Sequence, residues 1–368
     1  MISIILSELN PSTITLDIVE AITELEKDVD IILLGDVTQD HQEAYTNLNC
    51  RIKHLKSTGP RKFISYLIHF VRLVIHFRKS GTDKLYASGR NAAFLAMLAG
   101  FFSAVPRRVF TRHHGAENHL FEMKRGILLD KITNFFATEI IAVSVICKEI
   151  LVSRENVNPV KVTVIHNAID HEKFSLNSRH FLAQNIKPAF KEYDVITVGM
   201  IGRSVPGKGI GIALAAFSLF LFHFPNAKLR LIGCGKSFFS DNLNILEQIP
   251  PDNIEVIPHT SDTVSEYQIF DYFLHVPEFS DFESFGLVYL EAIASGVPSI
   301  FTLSGILNEI TCPNFVQVVE SRNIEETYRA LLNFSEFRPL SFKDESEKVA
   351  SSFDVQNMTA RYTKVVCG

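Results

Sequence analysis

No two cysteines in this 368-residue chain form a C-x-x-C pair, and none lies in a cluster with histidines. The five present, Cys50, Cys147, Cys234, Cys312 and Cys367, are odd in number and widely scattered. That spacing supports neither a disulfide framework nor a zinc site, and it fits a reducing compartment. No apolar run is long enough for a membrane-spanning helix. The N-terminal stretch MISIILSELNPSTITLDIVEAITEL lacks a basic leader and reaches Glu8 early, so it reads as a first strand and helix, not as a signal peptide. A net charge of -5 is mild and gives no reason to expect nucleic acid as a partner. No internal sequence repeat is evident.

What the chain does contain is length and alternation. It is too long for the usual single core, so two domains are expected. Short apolar runs read as strands: ISIIL, DIILLG at 30–35, KLYAS at 84–88, RRVFTR at 107–112, EIIAVS at 139–144 and KVTVIHN at 161–167. Helical patterns lie between them, such as NAAFLAMLAGFFSA at 91–104. Continuous apolar strands alternating with helices predict parallel sheets covered on both faces. The polar, irregular segment 170–194 breaks the rhythm and reads as a crossing between domains. The alternation restarts with VITVGMIG at 195–202, continues through AKLRLIGCG, NIEVIP and YFLHVP, and ends with the helix LVYLEAIASG, closed by Gly296, and the strand VPSIFT. The expectation is therefore an α/β protein of two Rossmann-like domains, 1–175 and 190–350, facing a central cleft, with 351–368 a helix that crosses back to the first. Ligands of open α/β sheets bind beyond the carboxyl ends of strands, and a cleft between two such sheets doubles that surface.

The second half holds the polar groups that such a site needs. After VITVGMIG comes RSVPGKGIG, with Arg203 and Lys208 among Gly202, Gly207, Gly209 and Gly211. Glycines let a backbone approach a ligand closely, and two cations there suit a diphosphate. The alternative is a surface turn with solvated charges. It is not a Walker loop, since no GKS or GKT follows. After YFLHVP comes EFSDFESFG, which places Glu283 just before a helix and Ser284, Phe285 and Gly286 in its first turn. Unpaired N–H groups at a helix start suit phosphate. Glu291 falls about two turns further on. Solvated surface charge is the usual fate of a glutamate, but these two flank an almost wholly apolar run. They are placed to serve different parts of one elongated ligand: Glu291 accepts from a ribose diol, and Glu283 lies nearer the far end.

E-x7-E, preceded by a strand ending in Pro and followed by EAIASGVPSI, resembles the retaining GT-B glycosyltransferases of family 4, the glycosyl transferases group 1. The resemblance spans most of the chain. VIHNAIDHEKF at 164–174, MIGRSVPGKG, LRLIGCG and LSGILNEI at 303–310, with Glu309, resemble family segments in the family's order, as does NAAFLAMLAGFFSAVPRRVFTRHHG in the first half. It implies transfer of a sugar from a nucleotide-diphosphate donor to a hydroxyl, with anomeric retention and no bound cofactor or metal. Arg203, Lys208 and the N–H groups of Phe285 and Gly286 would stabilise the leaving diphosphate, and Glu283 would orient the sugar. His113 or His114, in TRHHG after a first-domain strand, would meet a donor-sugar hydroxyl or phosphate. Adjacent in sequence, they point different ways, so at most one is central. Asn118 and His119 are candidates for the acceptor side, and Ser144 ends a further strand. The chain departs from the family pattern in the glycine-poor first loop SELNPSTI, in Ala168 where a Gly is usual, and in Pro258-His259-Thr260 near the nucleobase.

A last feature is an absence. Between Ala44 and Thr82 there is no Asp or Glu, while Arg51, Lys53, Lys56, Arg61, Lys62, Arg72, Arg78 and Lys79 fall there. Within it, Ser65, His69, Arg72, His76 and Lys79 form one polar stripe on an otherwise apolar helix. One reading is a core helix with a solvated edge. The other is an anionic membrane surface bound by 51–79, which would suit a glycan or lipid-linked acceptor and a cytoplasmic enzyme peripheral on the inner face of the membrane. The rival functions are an isomerase of the nucleotide-sugar 2-epimerase kind, which shares the two-lobed fold, and a non-catalytic partner of another transferase.

Overall fold

The computed structural model describes residues 1–7, 12–35, 38, 43–56, 62–174, 195–235, 238, 242–336 and 342–368. The glycine-poor loop at 8–11, residues 175–194 of the interdomain crossing, and Arg61 lie outside the described residues. The chain divides into two compact units, Met1–Ala168 with Val355–Gly368, and Ile169–Asp354.

The first unit is built on seven parallel strands, β1 (Ile2–Leu6), β2 (Val29–Leu34), β3 (Arg51–Leu55), β4 (Lys84–Ser88), β5 (Arg107–Arg112), β6 (Glu139–Ala142) and β7 (Val162–Val164). They lie in the order β3-β2-β1-β4-β5-β6-β7. β1 lies inside the sheet, with Ile4 opposite Ile31 on one side and Tyr86 on the other. Its side chains and those of β2 are buried on both faces, as covering by helices on both sides requires. Among those helices are α1 (Thr13–Leu25), α2 (Lys62–Ser80), α3 (Arg90–Phe102), α4 (Lys124–Phe136) and α5 (Val145–Glu149). Ser12 caps α1 by accepting from Thr15 N at 3.2 Å.

The second unit has six parallel strands, β8 (Thr197–Ile201), β9 (Lys228–Ile232), β10 (Ile254–Ile257), β11 (Tyr272–His275), β12 (Ser299–Thr302) and β13 (Val316–Val319), in the order β10-β9-β8-β11-β12-β13. Its helices include α6 (Ile210–Phe220), α7 (Thr263–Ile269), α8 (Leu287–Ala294), α9 (Ile324–Glu336) and α10 (Lys343–Ala350). Phe217, Phe220, Leu229, Leu231, Leu274 and Ile300 are among the side chains that fill the core between sheet and helices. The last helix, α11 (Val355–Cys367), belongs to the first unit. There Tyr362 is buried edge-on to Tyr86 at 6.3 Å, and Arg361 donates to Val164 O at 2.6 Å.

Two strands, β3 and β13, escape the sequence reading. Both lie at a sheet edge and are partly exposed. RIKHL and VQVV interleave charged or polar residues with apolar ones, which hides them from a search for apolar runs and also blunts the open edge.

The polar stripe of α2 requires correction. Ser65 and His69 face inward and are buried. His69 is hydrogen-bonded to Lys56 O at 3.0 Å, and His76 lies 3.0 Å from the buried carboxylate of Asp30. Arg72 and Lys79 are exposed. The outward face is instead apolar: Ile64, Leu67, Val71 and Ile75 are 46, 55, 47 and 47 % exposed. Buried polar groups found partners on β2 and after β3, which periodicity alone does not reveal. Among the described residues no helix is long and apolar enough to cross a membrane.

Candidate functional site

In each sheet the strand order reverses once, at β1/β4 and at β8/β11. Such reversals open a crevice beyond the carboxyl ends of the strands. In the second unit that crevice is bounded by the glycine loop after β8 and the Glu283 segment after β11. Gly209 takes φ 73°, and a Cβ there would lie 1.8 Å from the carbonyl oxygen of Val276. Only glycine allows this approach. The backbone N of Glu278 donates to Gly207 O at 2.9 Å, so the two loops are tied together.

This packing brings Lys208 onto Glu283, where its ammonium donates to Oε1. The same oxygen is 2.9 Å from Nε2 of His275, the wholly buried last residue of β11. The Glu283 backbone N donates to Ser304 Oγ at 3.1 Å. Burial opposes ionisation of Glu283, but the His275 hydrogen bond and the Lys208 charge outweigh it and bring the carboxyl down to about 2. Burial holds the His275 imidazole below its ordinary value, so the ring is neutral and donates Nε2–H.

The helix after Glu283 starts later than expected. Gly286 is its N-cap in the left-handed region (φ 81°, ψ 69°), and α8 runs from Leu287. Ser284, Phe285 and Gly286 therefore precede the first turn, because a left-handed residue ends the irregular segment and cannot lie within the helix. The Phe285 side chain is buried against Phe353, 5.9 Å between ring centres. Glu291 is the fifth residue of α8, about one turn in. Its Oε2 accepts from the hydroxyl of buried Tyr267 on α7 at 3.0 Å. Burial raises the Glu291 pKa, with Tyr267 pulling the other way. Arg203, by contrast, is exposed, and its side chain makes no hydrogen bond or ion pair among the described residues.

The first unit separates the two histidines. His114 Nε2 donates to Asp130 at 3.1 Å inside a buried network. There Arg112 makes a two-pronged pair with Glu155 at 3.1 and 2.6 Å, and Asn134 donates to the same carboxylate at 2.6 Å. Burial drives His114 down to about 3, so it stays neutral. Burial opposes ionisation of Asp130 too, but the His114 hydrogen bond and the Arg112 charge outweigh it and bring Asp130 to about 2. Asn118 donates to Asp130 at 2.5 Å, and His119 lies 3.4 Å from Glu155. These three groups are thus tied into the network, in which the Asn118 side chain is buried and those of His114 and His119 are partly exposed. His113 instead is hydrogen-bonded to Ser88 Oγ at 3.3 Å, at the carboxyl end of β4. Ser144 caps α5 by accepting from Cys147 N at 3.1 Å.

His275, Tyr267 and Ser304 were missed from the sequence. His275 left a trace, a polar residue inside the apolar run YFLHVP; Tyr267 and Ser304 left none. Among the described residues no group of three or more His, Cys, Asp or Glu side chains is arranged to hold a metal ion.

Known proteins resemble both halves. The model of Glycosyltransferase Family 4 matches residues 12–173, and that of glycosyl transferases group 1 matches residues 183–342. CapM, a capsular polysaccharide biosynthesis glycosyltransferase of Staphylococcus aureus, is 26% identical over 307 residues, which cover 79% of this chain and 78% of that protein. Among solved structures, Anabaena HepE in complex with UDP and glucose superposes with a TM-score of 0.79 at 16% identity, over 100% of this chain and 99% of that one. S. aureus TarM, crystallised with fondaparinux, alpha-GlcNAc-glycerol and UDP, gives 0.68 at 11% identity, over 100% of both chains. At such identities the structural likeness shows the fold, two parallel α/β sheets of the GT-B type.

Proposed function

The chain belongs to the GT-B glycosyltransferases of family 4, and from that premise we propose that it moves a sugar from a nucleoside-diphosphate donor to a hydroxyl of a surface polysaccharide or lipid-linked glycan, retaining the anomeric configuration. The observation that carries this reading is Glu283, kept ionised by Lys208 and His275 at the strand-order reversal of the second unit. In the reaction the bond between the anomeric carbon and the diphosphate oxygen breaks, and a bond to the acceptor oxygen forms on the same face. The acceptor proton passes to the leaving phosphate oxygen. Arg203 and Lys208 meet the negative charge that grows on the diphosphate, and preorganised charge of this kind is often the largest catalytic term. Glu283 orients the sugar hydroxyls, and Glu291 accepts from the ribose diol.

HepE and TarM, each solved with UDP, make uridine the first base to try. Calorimetry of the protein with UDP, GDP and ADP, and with their glucose conjugates, tests the donor class. Micromolar to millimolar binding of one series is expected; no binding by any would end the reading. An epimerase would instead convert the donor sugar with no acceptor present.

The acceptor side is proposed to dock on an anionic lipid surface. Support comes from the outward face of α2, whose apolar side chains join Phe101 and Phe102 of α3, 48 and 53 % exposed. A groove of about 610 Å³ runs between them, lined by Leu67, Phe70, Val71, Ile75, Arg78 and Phe102, among others. Beside it lies a basic pocket lined by Lys53, Arg72, His76 and Lys79. An apolar stripe flanked by cations is what binds the headgroup boundary of an anionic bilayer.

A further inference from the structure

A buried histidine at the end of a core strand is costly unless both ring nitrogens are used. His275 uses only one. Nε2 meets Glu283 at 2.9 Å, and Nδ1 is buried with no hydrogen-bond partner. An aliphatic residue would fill β11 without that cost, so the ring must do something that packing does not require.

The arrangement around it shows what. Lys208 and His275 both converge on Oε1 of Glu283, while Oε2 accepts no hydrogen bond among the described residues. The imidazole is itself held, edge-on to the Tyr289 ring at 4.8 Å, and the Tyr289 hydroxyl donates to Thr302 O at 3.4 Å. Ser304 fixes the Glu283 backbone. We propose that His275 is the positioning residue for Glu283, pinning Oε1 so that Oε2 is left for the hydroxyls of the donor sugar.

The inference rests on the functional reading of Glu283 and adds a division of labour. Lys208 has a flexible stem, and on that reading it also serves the donor diphosphate. When it turns to phosphate, Glu283 would lose that partner. His275, rigid and on the strand, stays. The neutral ring with the proton on Nε2 is the form required, because an imidazolium would bury a second N–H with no acceptor. The groups that face the Glu283 carboxylate are Lys208 from the loop after β8, His275 from β11 and the Tyr289 phenol from α8.

The test uses the full chain, as native protein and as His275→Gln and His275→Leu. Nitrogen-15 histidine spectra of the native protein are expected to show the His275 resonances, assigned by their loss in the variants, as the neutral Nε2–H tautomer from pH 6 to 8. The Glu283 carboxyl, followed by carbon-13 labelling and assigned with Glu283→Gln, should titrate about one pH unit higher in His275→Leu and near the native value in His275→Gln. With UDP and UDP-glucose as probes, His275→Leu should bind UDP within twofold of native and UDP-glucose about tenfold more weakly, and Gln should restore it. An Nδ1–H tautomer or an imidazolium would overturn the proposal, as would an unmoved Glu283 titration or equal losses for UDP and UDP-glucose. If the native protein binds neither probe, the choice of a uridine donor fails, and the two spectroscopic results still decide the role of His275.

Discussion

Tyr267 donates its hydroxyl to Oε2 of Glu291 at 3.0 Å, from a helix that precedes β11 to one that follows it. Glu283 is held in the same manner by His275. Each glutamate of the pair thus has one oxygen engaged by a buried side chain and the other accepting no hydrogen bond among the described residues. If Glu291 receives the ribose, Tyr267→Phe removes the group that orients it. A hydrogen bond to a charged group is worth about 1.5–3 kcal/mol, which sets an upper bound of roughly 12- to 160-fold on the loss. Calorimetry should show UDP and UDP-glucose weakened alike by Tyr267→Phe, and more strongly by Glu291→Ala. Glu283→Ala should mainly lower turnover of the intact donor. Native affinity in Glu291→Ala would remove the residue from the site.

Arg203 and Lys208 should each contribute about 1.5–3 kcal/mol to nucleoside-diphosphate binding through a charge-assisted contact. Their effects on stability should differ. Arg203 is exposed and has no side-chain partner among the described residues, so Arg203→Ala should weaken UDP without moving the melting temperature. Lys208 neutralises a buried carboxylate, so Lys208→Ala should weaken UDP and also lower the melting temperature at neutral pH. Unchanged affinity in both variants would end the diphosphate assignment.

The two glutamates should shift stability with pH in opposite directions. The folded-state pKa of Glu283 is lowered to about 2. Its contribution is complete above the unfolded carboxyl value of about 4.3 and is lost as pH falls toward the folded value. The folded-state pKa of Glu291 is raised, so its cost is absent below the unfolded value and grows as pH rises through the folded one. Glu283→Gln should therefore destabilise at pH 7 and lose that effect in strong acid. Glu291→Gln should stabilise at pH 8 relative to its effect at pH 4. Melting temperatures across pH 3–8 test this; a Glu283→Gln deficit that does not shrink toward pH 3, or a Glu291→Gln effect that does not become more favourable from pH 4 to pH 8, would refute it.

Vesicle sedimentation tests the lipid-facing surface. Native protein should bind anionic vesicles at low salt. Binding should weaken at 1 M salt without vanishing, because the Debye length falls from about 10 Å at 0.1 M to about 3 Å and only the ionic part is screened. Arg72→Glu with Lys79→Glu should remove the salt-sensitive part, and Leu67→Glu with Val71→Glu the remainder. UDP affinity should be untouched by either pair. No binding to anionic vesicles at low salt would point to a soluble acceptor.

Turnover after desalting into excess chelator should persist, since Arg203 and Lys208 provide cationic charge for the diphosphate. Loss of activity that magnesium or manganese restores would show that a divalent ion carries part of that charge.

Features that depend on near neighbours in the chain are legible in the residues alone. Interior strands such as β1 and β11 are short, mainly apolar runs, and their apolarity follows from burial on both faces. Gly296 ends α8 because it adopts φ 63°, a local requirement. The glycine loop with Arg203 and Lys208, and the pair Glu283 and Glu291, were legible as residue types at a spacing suited to a diphosphate and a diol. Tertiary structure decided the rest, because it depends on groups distant in the chain. Glu283 became a buried, ionised carboxylate only when the loop carrying Lys208, 75 residues earlier, packed onto the end of β11. His114 was withdrawn into the network of Asp130, while His113 beside it met Ser88. Periodicity showed that α2 has a polar and an apolar face, but not which is turned inward. That was set by Asp30 and the carbonyl of Lys56, which partner its histidines and leave Ile64, Leu67, Val71 and Ile75 outside. A buried polar group goes where its partner is, and a hydropathy pattern does not contain the partner.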